Sequence, residues 1–383
     1  MRSADIPLSL YVHWPWCVRK CPYCDFNSHA LPSGDNLSRR YVDALIADLK
    51  QSVSLARNRE LVSIFIGGGT PSLITPEELS RFLDEVFSLY RTSPDIEITL
   101  EANPGTVDIR HFEAYRRIGI NRLSMGVQSF NDDLLKRLGR IHNSAEAHEA
   151  IKIARESFEN FNLDVMFALP GQTIDELKFE LQEAISAQST HLSFYQLTLE
   201  PNTVFAKHTP TGIPEADTIF QMQDIVAGTL EEAGFEHYEV SGYAKPGFHC
   251  RHNLNYWQFG DYIACGAGAH SKITLEDGKI LREARYMTPE SFMTHAIEGS
   301  AVAHHRFVDK DDQAFEFMLN VLRLRKGAPL EFLRQRTDLT LDDIKEGILK
   351  AQSLGLMPSP LTRFVATDKG WDFLSDLQEL FLK

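Results

Sequence analysis

The sequence has no uninterrupted apolar run of about 18 residues, which a transmembrane helix would need. Its first residues have none of the features of a secretory signal peptide. Positive charge is also in deficit, since 39 Lys and Arg stand against 53 Asp and Glu, for a formal net charge of -14. These absences predict a cytoplasmic protein without stable membrane insertion. They also disfavour a nucleic-acid backbone as the main partner.

Cysteine is scarce, and its distribution is uneven. The chain has five cysteines, of which Cys17, Cys21 and Cys24 form a C-x3-C-x2-C pattern. In a reducing compartment, clustered thiols favour a metal site over disulfides. The other two, Cys250 and Cys265, stand apart and are expected to be ordinary packed thiols.

Three thiolates are compatible with two kinds of metal centre. With a histidine such as His13 or His29 they could complete a tetrahedral Cys3His zinc site. They could also hold a [4Fe-4S] cubane in which one iron has no protein ligand. That free iron could bind a small chelating molecule, as the open position of a catalytic zinc does.

The chain alternates short β-type runs with amphipathic helical runs up to about residue 235. The capping-box residues Thr75, Pro76 and Glu78 predict one helix start, and further helices are predicted over 108–118 and 131–157. Six strand-helix units predict a parallel sheet with right-handed crossovers. The expected fold class is α/β, with a partial (β/α)6 barrel. Residues expected at strand ends, where such folds place their chemistry, are Gly68, Glu101, Gln128, Asp164 and Pro170.

Composition divides the chain into three parts. Residues 1–235 form the predicted barrel core, and residues 236–300, richer in Tyr, Gly and His, form an extension of it. Residues 301–383 are helical again and resemble a small winged-helix-like domain. The acidic balance of the chain counts against DNA binding by this last part.

The cysteine motif, with Tyr23 directly before its third cysteine and just after a first strand, resembles the signature of radical S-adenosylmethionine (SAM) enzymes. This resemblance implies a [4Fe-4S] cluster whose free iron binds the amino and carboxylate groups of SAM. The stretch "GGGTPS" lacks the lysine of a phosphate loop. It resembles instead the segment along the SAM methionine, which assigns Gly68, Gly69 and Thr70 to SAM.

Four later stretches, "EANP", "GVQSF", "RLGRIH" and "LDVMFALPG", resemble the coproporphyrinogen III dehydrogenase-like group of that superfamily. Glu101 can accept hydrogen bonds from an ammonium, Arg140 can clamp a carboxylate, and Asp164 can accept from a ribose. By resemblance the predicted SAM set is Tyr11, Tyr23, Gly68, Gly69, Thr70, Glu101, Gln128, Arg140 and Asp164.

Two features distinguish the branches of that group. The dehydrogenases carry a fourth cysteine two residues after the third and a longer N-terminal arm, whereas this chain has Phe26 there and only 16 residues before Cys17. The stretch "HCRHNLNYW" contains H-N-x-x-Y-W, which resembles a signature of the haem-chaperone branch. It implies haem binding by His252, Tyr256 and Trp257. Alternative haem-site candidates are His249, Cys250 and His270.

By resemblance, the expected function is that of a haem chaperone that carries a [4Fe-4S] cluster and binds SAM. It would pass haem to apo-haemoproteins, such as respiratory complexes at the membrane. The leading alternative is an oxygen-independent coproporphyrinogen III dehydrogenase, which abstracts hydrogen from propionate side chains. A zinc-stapled binding module is the third class. Whether SAM is cleaved, and whether the chain dimerises, are left open.

Overall fold

The centre of the fold is a 12-stranded sheet, seen in a computed structural model that describes residues 5–32, 36–105 and 111–382. The strands of the described chain are β1 (Leu8–Trp14), β2 (Trp16–Cys17), β3 (His29–Ala30), β4 (Glu60–Gly68), β5 (Arg91–Ala102), β6 (Arg122–Gln128), β7 (Asn160–Phe167), β8 (His191–Gln196), β9 (Glu236–Glu239), β10 (Gly242–Ala244), β11 (Asp261–Cys265), β12 (His270–Thr274), β13 (Ile280–Arg285), β14 (Val302–Phe307), β15 (Ala328–Pro329) and β16 (Arg363–Phe364). The helices are Leu37–Ala56, Pro76–Leu89, Phe112–Arg117, Asp132–Arg137, Ser144–Ser157, Ile174–Ser186, Val204–Lys207, Ala216–Glu232, Arg251–Trp257, Pro289–Ile297, Lys310–Val321, Glu331–Arg336, Lys345–Ser353, Asp368–Asp372 and Leu374–Glu379, with 3-10 turns at Pro71–Leu73 and Leu341–Ile344.

Six strands, β1 and β4 to β8, are neighbours in chain order and run parallel, which confirms the predicted (β/α)6 core. On the other side of β1, strand β11 pairs in parallel, and β12 to β14 continue the sheet in antiparallel fashion. At the opposite edge β10 and β9 follow β8, also antiparallel. The sheet therefore extends well beyond the six parallel units at both edges.

Alternation along β1 shows how the sheet faces differ. Leu8, Leu10 and Val12 belong to the main apolar cluster packed under the helices. The residues between them point to the other face, because side chains alternate along a strand. There Ser9 bonds to Ser63 of β4 at 2.8 Å. The inner surface of the barrel is thus lined with polar and aromatic groups, while its outer surface carries the apolar core.

Local capping explains where several helices begin. The helix Pro76–Leu89 starts as predicted, with the Glu78 amide donating to Thr75 Oγ1 at 3.4 Å. The predicted continuous helix over 131–157 is instead two helices, Asp132–Arg137 and Ser144–Ser157. Gly139 adopts a φ of +73° between them, and Asn143 caps the second one. Of the helix predicted over 108–118, the structure has Phe112–Arg117, and residues 108–110 lie outside the described chain.

The C-terminal region has its own apolar cluster, which includes Phe317, Met318 and Phe364. It is mostly helical, with β15 and β16 as a two-stranded sheet. Strand β14, which our division at residue 301 assigned to this region, pairs with β13 of the main sheet. Leu254 and Trp257, on the helix Arg251–Trp257, pack against the C-terminal cluster. This helix therefore joins the barrel to the C-terminal region.

In the part of the chain that the structure describes, none of the helices combines the length and hydropathy needed to cross a bilayer.

Candidate functional site

A cavity of about 350 Å³ opens where the parallel strands end, next to the cysteine loop. Both the position and the lining agree with chemistry at the carboxyl ends of parallel strands. Its walls include eleven residues chosen from sequence: Cys17, Cys21, Tyr23, Cys24, Gly68, Gly69, Thr70, Glu101, Gln128, Arg140 and Asp164. Phe26, which the sequence marked as a branch difference, also lines the cavity. The other lining residues were not selected from sequence: Arg19, Asp25, Ser28, Pro71, Ala102, Asn103, Ser124, Gly126, Met166, Tyr195, Gln196, Thr198 and Glu200.

The three cysteines are free, half-buried thiols on one loop. Cys17 ends β2, and the Cys24 amide donates to the Cys21 carbonyl at 3.2 Å, which closes a turn. Burial raises the pKa of both Cys17 and Cys24, so their thiols are protonated near neutral pH. Among the described residues, no three His, Cys, Asp or Glu side chains converge on a point for a single metal ion. A cubane has several irons, so its cysteines can line a cavity without meeting at one point.

The glycines after β4 let the chain pack directly against the segment that leads to Cys17. The Gly69 amide donates to the Trp14 carbonyl at 2.7 Å, and the Thr70 amide donates to the Trp16 carbonyl at 2.8 Å. A Cβ at Gly69 would lie 2.5 Å from the Trp16 oxygen. Glycine is required here because a larger residue would push the cysteine loop away from β4.

Two half-buried carboxylates, Glu101 and Asp164, line the cavity. Glu101 Oε2 accepts from the Gly68 amide at 3.0 Å, while Asp164 accepts from Ser124 Oγ at 3.2 Å and from Asn162 Nδ2 at 2.9 Å. Burial, together with the nearby Asp164, raises the pKa of Glu101 to about 8. Burial also raises the pKa of Asp164. At neutral pH without a ligand, Glu101 therefore carries a proton for most of the time.

Arg140 connects the cysteine loop to two strand ends. Its guanidinium donates to Asn103 Oδ1 at 2.6 Å and to the Gly126 carbonyl at 2.8 Å, and it lies 3.6 Å from Cys21 Sγ. Asn103 in turn donates to Thr70 Oγ1 at 2.9 Å. Through these contacts Arg140 links the cysteine loop to β6 and to the segments that follow β4 and β5.

Gln128 lies at a turn that a buried carboxylate holds. Its φ is +67°, a left-handed conformation, immediately after which Ser129 Oγ and the Phe130 amide donate to Glu180, the latter at 2.7 Å. Burial raises the pKa of Glu180 to about 7. Glu180 was not selected from sequence, because nothing local marks a helix residue that bonds to a turn 50 positions earlier.

Tyr11 is the one member of the predicted SAM set that does not line the cavity. Its hydroxyl donates to His13 Nδ1 at 2.9 Å, and His13 Nε2 donates to the Asn27 carbonyl at 2.9 Å. Burial lowers the pKa of His13, which keeps the ring neutral. Tyr11 therefore contacts the cysteine loop only through His13.

The predicted haem residues lie at the other end of the barrel. The amide of His252 donates to Glu97, which is four residues before Glu101 on β5 and so about 13 Å along the strand. His252 is 2% exposed, and its Nδ1 is bonded to Ser63 Oγ at 3.0 Å. Its ring stacks on Phe65 at 4.9 Å, and burial lowers its pKa to about 3. As folded, both ring nitrogens of His252 are enclosed, and Nε2 is buried without a hydrogen-bond partner. Haem binding by His252 stays a prediction.

The neighbours of His252 are packed in a similar way. Tyr256 contacts the His252 ring at 4.9 Å, and Trp257 lies 4.2 Å from the Arg323 guanidinium of the C-terminal region. Among the alternatives, Cys250 is buried with its thiol 3.5 Å from Glu97, whereas His270 is exposed at the start of β12. In this structure the H-N-x-x-Y-W segment therefore packs between the barrel and the C-terminal region.

Comparison with known proteins agrees with this architecture. The family model "Radical SAM superfamily" matches residues 11–183, and "HemN C-terminal domain" matches residues 308–373. Among solved structures, coproporphyrinogen III oxidase (HemN) from Escherichia coli, described as a radical SAM enzyme, superposes with a TM-score of 0.82 over 99% of this chain and 90% of that chain. At 22% identity this likeness supports the fold alone. The fold is that of a radical SAM protein.

Curated relatives define the branch. The chain is 46% identical to the "Heme chaperone HemW" of Escherichia coli (strain K12) and 45% identical to that of Haemophilus influenzae, in both cases over 98% of each sequence. The corresponding protein of Bacillus subtilis is 33% identical over 89% of this chain and 90% of its own length. The chain belongs to the HemW family.

Proposed function

We propose that this protein is a haem chaperone that binds haem and transfers it to apo-haemoproteins, with a [4Fe-4S] cluster and SAM bound in the barrel cavity. The observation that carries the proposal is the full-length similarity to proteins named heme chaperone HemW. We propose respiratory complexes at the membrane as the haem acceptors. We also propose that the protein acts in the cytoplasm.

The cavity fits the cluster and SAM by its donor set. Cys17, Cys21 and Cys24 line it and are free, so they would hold the cluster. When bound, the cluster supplies the electron for reductive cleavage of SAM in this superfamily. The half-buried carboxylate of Glu101 would accept from the N–H groups of the SAM amino group, and the open backbone at Gly68 and Gly69 would lie along its methionine.

The cavity charge supports a chaperone over a coproporphyrinogen dehydrogenase. Its lining cations are Arg19 and Arg140, and the lining also holds the acidic residues Asp25, Glu101, Asp164 and Glu200. A substrate with four carboxylates would meet few positive partners there. Phe26, at the position of the dehydrogenases' additional cysteine, is 56% exposed and part of the cavity wall.

For the haem iron we propose His252 as the ligand, in a conformation that differs from this structure. His252 would reach haem iron only in a conformation in which the helix Arg251–Trp257 has left the barrel end, because its ring is enclosed by Phe65 and Tyr256. A His252→Ala variant is expected to lose the Soret shift of haem binding if this opened form binds haem. An unchanged spectrum would assign the iron ligand to another residue, with exposed His270 as the next to test.

A paired assay tests the function. Anaerobically reconstituted protein is given haem and an apo-haemoprotein in one experiment, and coproporphyrinogen with SAM and a reductant in the other. We expect haem to appear in the acceptor and no protoporphyrinogen to form. Turnover of coproporphyrinogen without haem transfer would refute the chaperone proposal in favour of the dehydrogenase.

Glu101 predicts a pH dependence of SAM affinity. Since its pKa is about 8 in the ligand-free protein, binding of a cationic ligand must remove its proton below that pH. The association constant is therefore expected to rise with pH up to about 8, by up to roughly tenfold per pH unit, and then to level off. Titration calorimetry in buffers of different ionisation enthalpy would detect the released proton.

Glu101→Gln is the matching variant. It keeps the acceptor for the Gly68 amide but removes the charge, so we expect weaker SAM binding, a smaller proton release than in wild type and a shallower pH profile over this range. The control is Glu113→Gln, an exposed carboxylate that pairs with Arg117. Proton release equal to that of wild type in Glu101→Gln would mean that Glu101 is not the group that loses the proton.

A further inference from the structure

A single asparagine ties the end of the cysteine loop to the sheet. Asn27 lies three residues after Cys24, and its Nδ2 donates to the Ala267 carbonyl at 2.9 Å and to the Met287 carbonyl at 2.8 Å. Its Oδ1 accepts from His29 Nε2 at 3.1 Å. One side chain thus uses both amide protons and an oxygen to connect segments about 240 and 260 residues away.

The main chain of the same residue is also held. The Asn27 carbonyl accepts from His13 Nε2 at 2.9 Å, and His13 is oriented by the Tyr11 hydroxyl. This second contact joins the loop to β1, whereas the side chain joins it to the turns after β11 and β13. Both the main chain and the side chain of Asn27 are therefore held.

Glycines create the space that these contacts need. Gly268 has a φ of +71°, and a Cβ there would lie 2.5 Å from Asn27 Nδ2. Gly266 has a φ of +110°, and a Cβ there would lie 2.4 Å from the His13 carbonyl oxygen. A side chain at position 268 would push the turn away from Asn27, and one at position 266 would push it away from His13 of β1.

The loop that Asn27 closes contains all three cysteines of the motif. At its base β2 pairs with β3, with Trp16 opposite His29 and Cys17 opposite Ala30. Ser28, next to Asn27, is buried with its hydroxyl 3.9 Å from Cys24 Sγ. A displacement of Asn27 would therefore change the position of Cys24 relative to Cys17.

We propose that Asn27 is a positioning residue for the cluster: its two amide hydrogen bonds to the Ala267 and Met287 carbonyls set the cysteine loop at the spacing that cluster binding requires. This inference rests on the proposed function, in which the loop holds a [4Fe-4S] cluster. Asn27 itself makes no contact with the cluster and acts through the loop.

The first test uses the apo protein, so that it does not depend on loading. The rates at which Cys17, Cys21 and Cys24 are alkylated are measured by mass spectrometry in wild type, Asn27→Ala and Asn27→Asp. We expect a rise of roughly tenfold in Asn27→Ala, because two hydrogen bonds that order the loop are lost. Asn27→Asp should be at least as reactive, since its carboxylate directs lone pairs at two carbonyl oxygens.

Controls separate loop release from general unfolding. Buried Cys250 and Cys265 should stay unreactive in every variant. Asn320→Ala removes a similar side-chain bond to a backbone carbonyl, from Asn320 Nδ2 to Glu316 at 2.7 Å, and should match wild type. Wild-type alkylation rates in Asn27→Ala would overturn the proposal, as would a rise confined to variants in which Cys250 also reacts.

The second test uses reconstituted protein. Asn27→Ala should lose iron to a chelator faster than wild type, and the electron paramagnetic resonance spectrum of its reduced cluster should respond less to SAM. If wild type assembles a cluster and Asn27→Ala retains it equally with the same spectrum, the positioning role is wrong. If wild type itself binds no cluster, the proposed function fails, and the apo alkylation result still reports on the loop.

Discussion

Replacement of Cys21 with alanine will leave the protein with almost no iron-sulfur cluster after anaerobic reconstitution. The three cysteines line one cavity and none is in a disulfide, so each would bind a different iron, and a cubane with two remaining protein ligands is poorly held. We expect iron content to fall from about four atoms per chain to near zero. Iron and sulfide analysis with the visible spectrum measures this directly.

Of the three cysteines, Cys21 gives the clearest test, because its thiol lies beside Arg140, which has other partners. Removal of Cys21 leaves this guanidinium with Asn103 and the Gly126 carbonyl, so the fold around it should persist. Thermal unfolding of the apo variant should therefore resemble that of the wild-type apo protein. The control is Cys265→Ala, a buried cysteine outside the cavity, which should keep full iron content. Full iron content in Cys21→Ala would exclude the motif as the cluster site.

Replacement of Asp261 with alanine is expected to cost about 3–5 kcal/mol in the free energy of unfolding. The Asp261 side chain has no solvent exposure and bridges Arg59 at 2.7 Å and Lys272 at 3.1 Å. It also accepts from the amide and hydroxyl of Thr274 at 2.9 and 2.8 Å. Without it, two buried cations lack their carboxylate. Lys272 can relieve part of this cost by losing a proton, because burial lowers its pKa to about 8.

The control for Asp261 is an exposed pair. Glu113 and Arg117 lie 2.9 Å apart with side chains 76% and 77% exposed, so Glu113→Ala should change stability by less than about 1 kcal/mol. Urea unfolding of both variants makes the comparison. Equal effects would mean that burial of Asp261 adds nothing to its interactions.

The pH dependence of the Asp261 effect follows from its pKa. Burial opposes its ionisation, but Lys272 and Arg59 outweigh burial and hold its pKa below the ordinary value. A depressed carboxyl pKa contributes stability above the unfolded value of about 3.9, and this contribution is lost as pH falls through the lower folded value. The part of the wild-type stability that comes from the ionised Asp261 carboxylate should therefore stay constant from about pH 5 to 7 and be lost in stronger acid.

Short-range signals in the sequence were enough for much of the candidate site. Cys17, Cys21 and Cys24 are close along the chain, and the strand ends at Gly68, Glu101 and Asp164 meet because parallel strands direct their carboxyl ends to one edge. The helix predicted over 131–157 was wrong in one respect, since Gly139 breaks it. Helical periodicity continues across such a break, so pattern alone does not reveal it.

Contacts between segments that are far apart in sequence could not be predicted from the sequence. Asn27 and Glu180 act on partners 240 or more and about 50 residues away, and neither belongs to a local pattern. His252, in contrast, belongs to a recognisable motif, but the motif does not indicate whether its side chains are exposed. In the structure its ring is enclosed, with a bond to Ser63.

The sequence by itself determined the α/β class, the family resemblance and the cysteine loop with its likeness to a SAM site, because these depend on periodicity and on spacing within short segments. Only the tertiary structure decided which predicted residues share a cavity, and that Tyr11 and His252 do not line it. Burial, charge neighbours and hydrogen bonds across the sheet arise when strands far apart in sequence come together. These same contacts set the pKa of Glu101 and hold Asn27 in place.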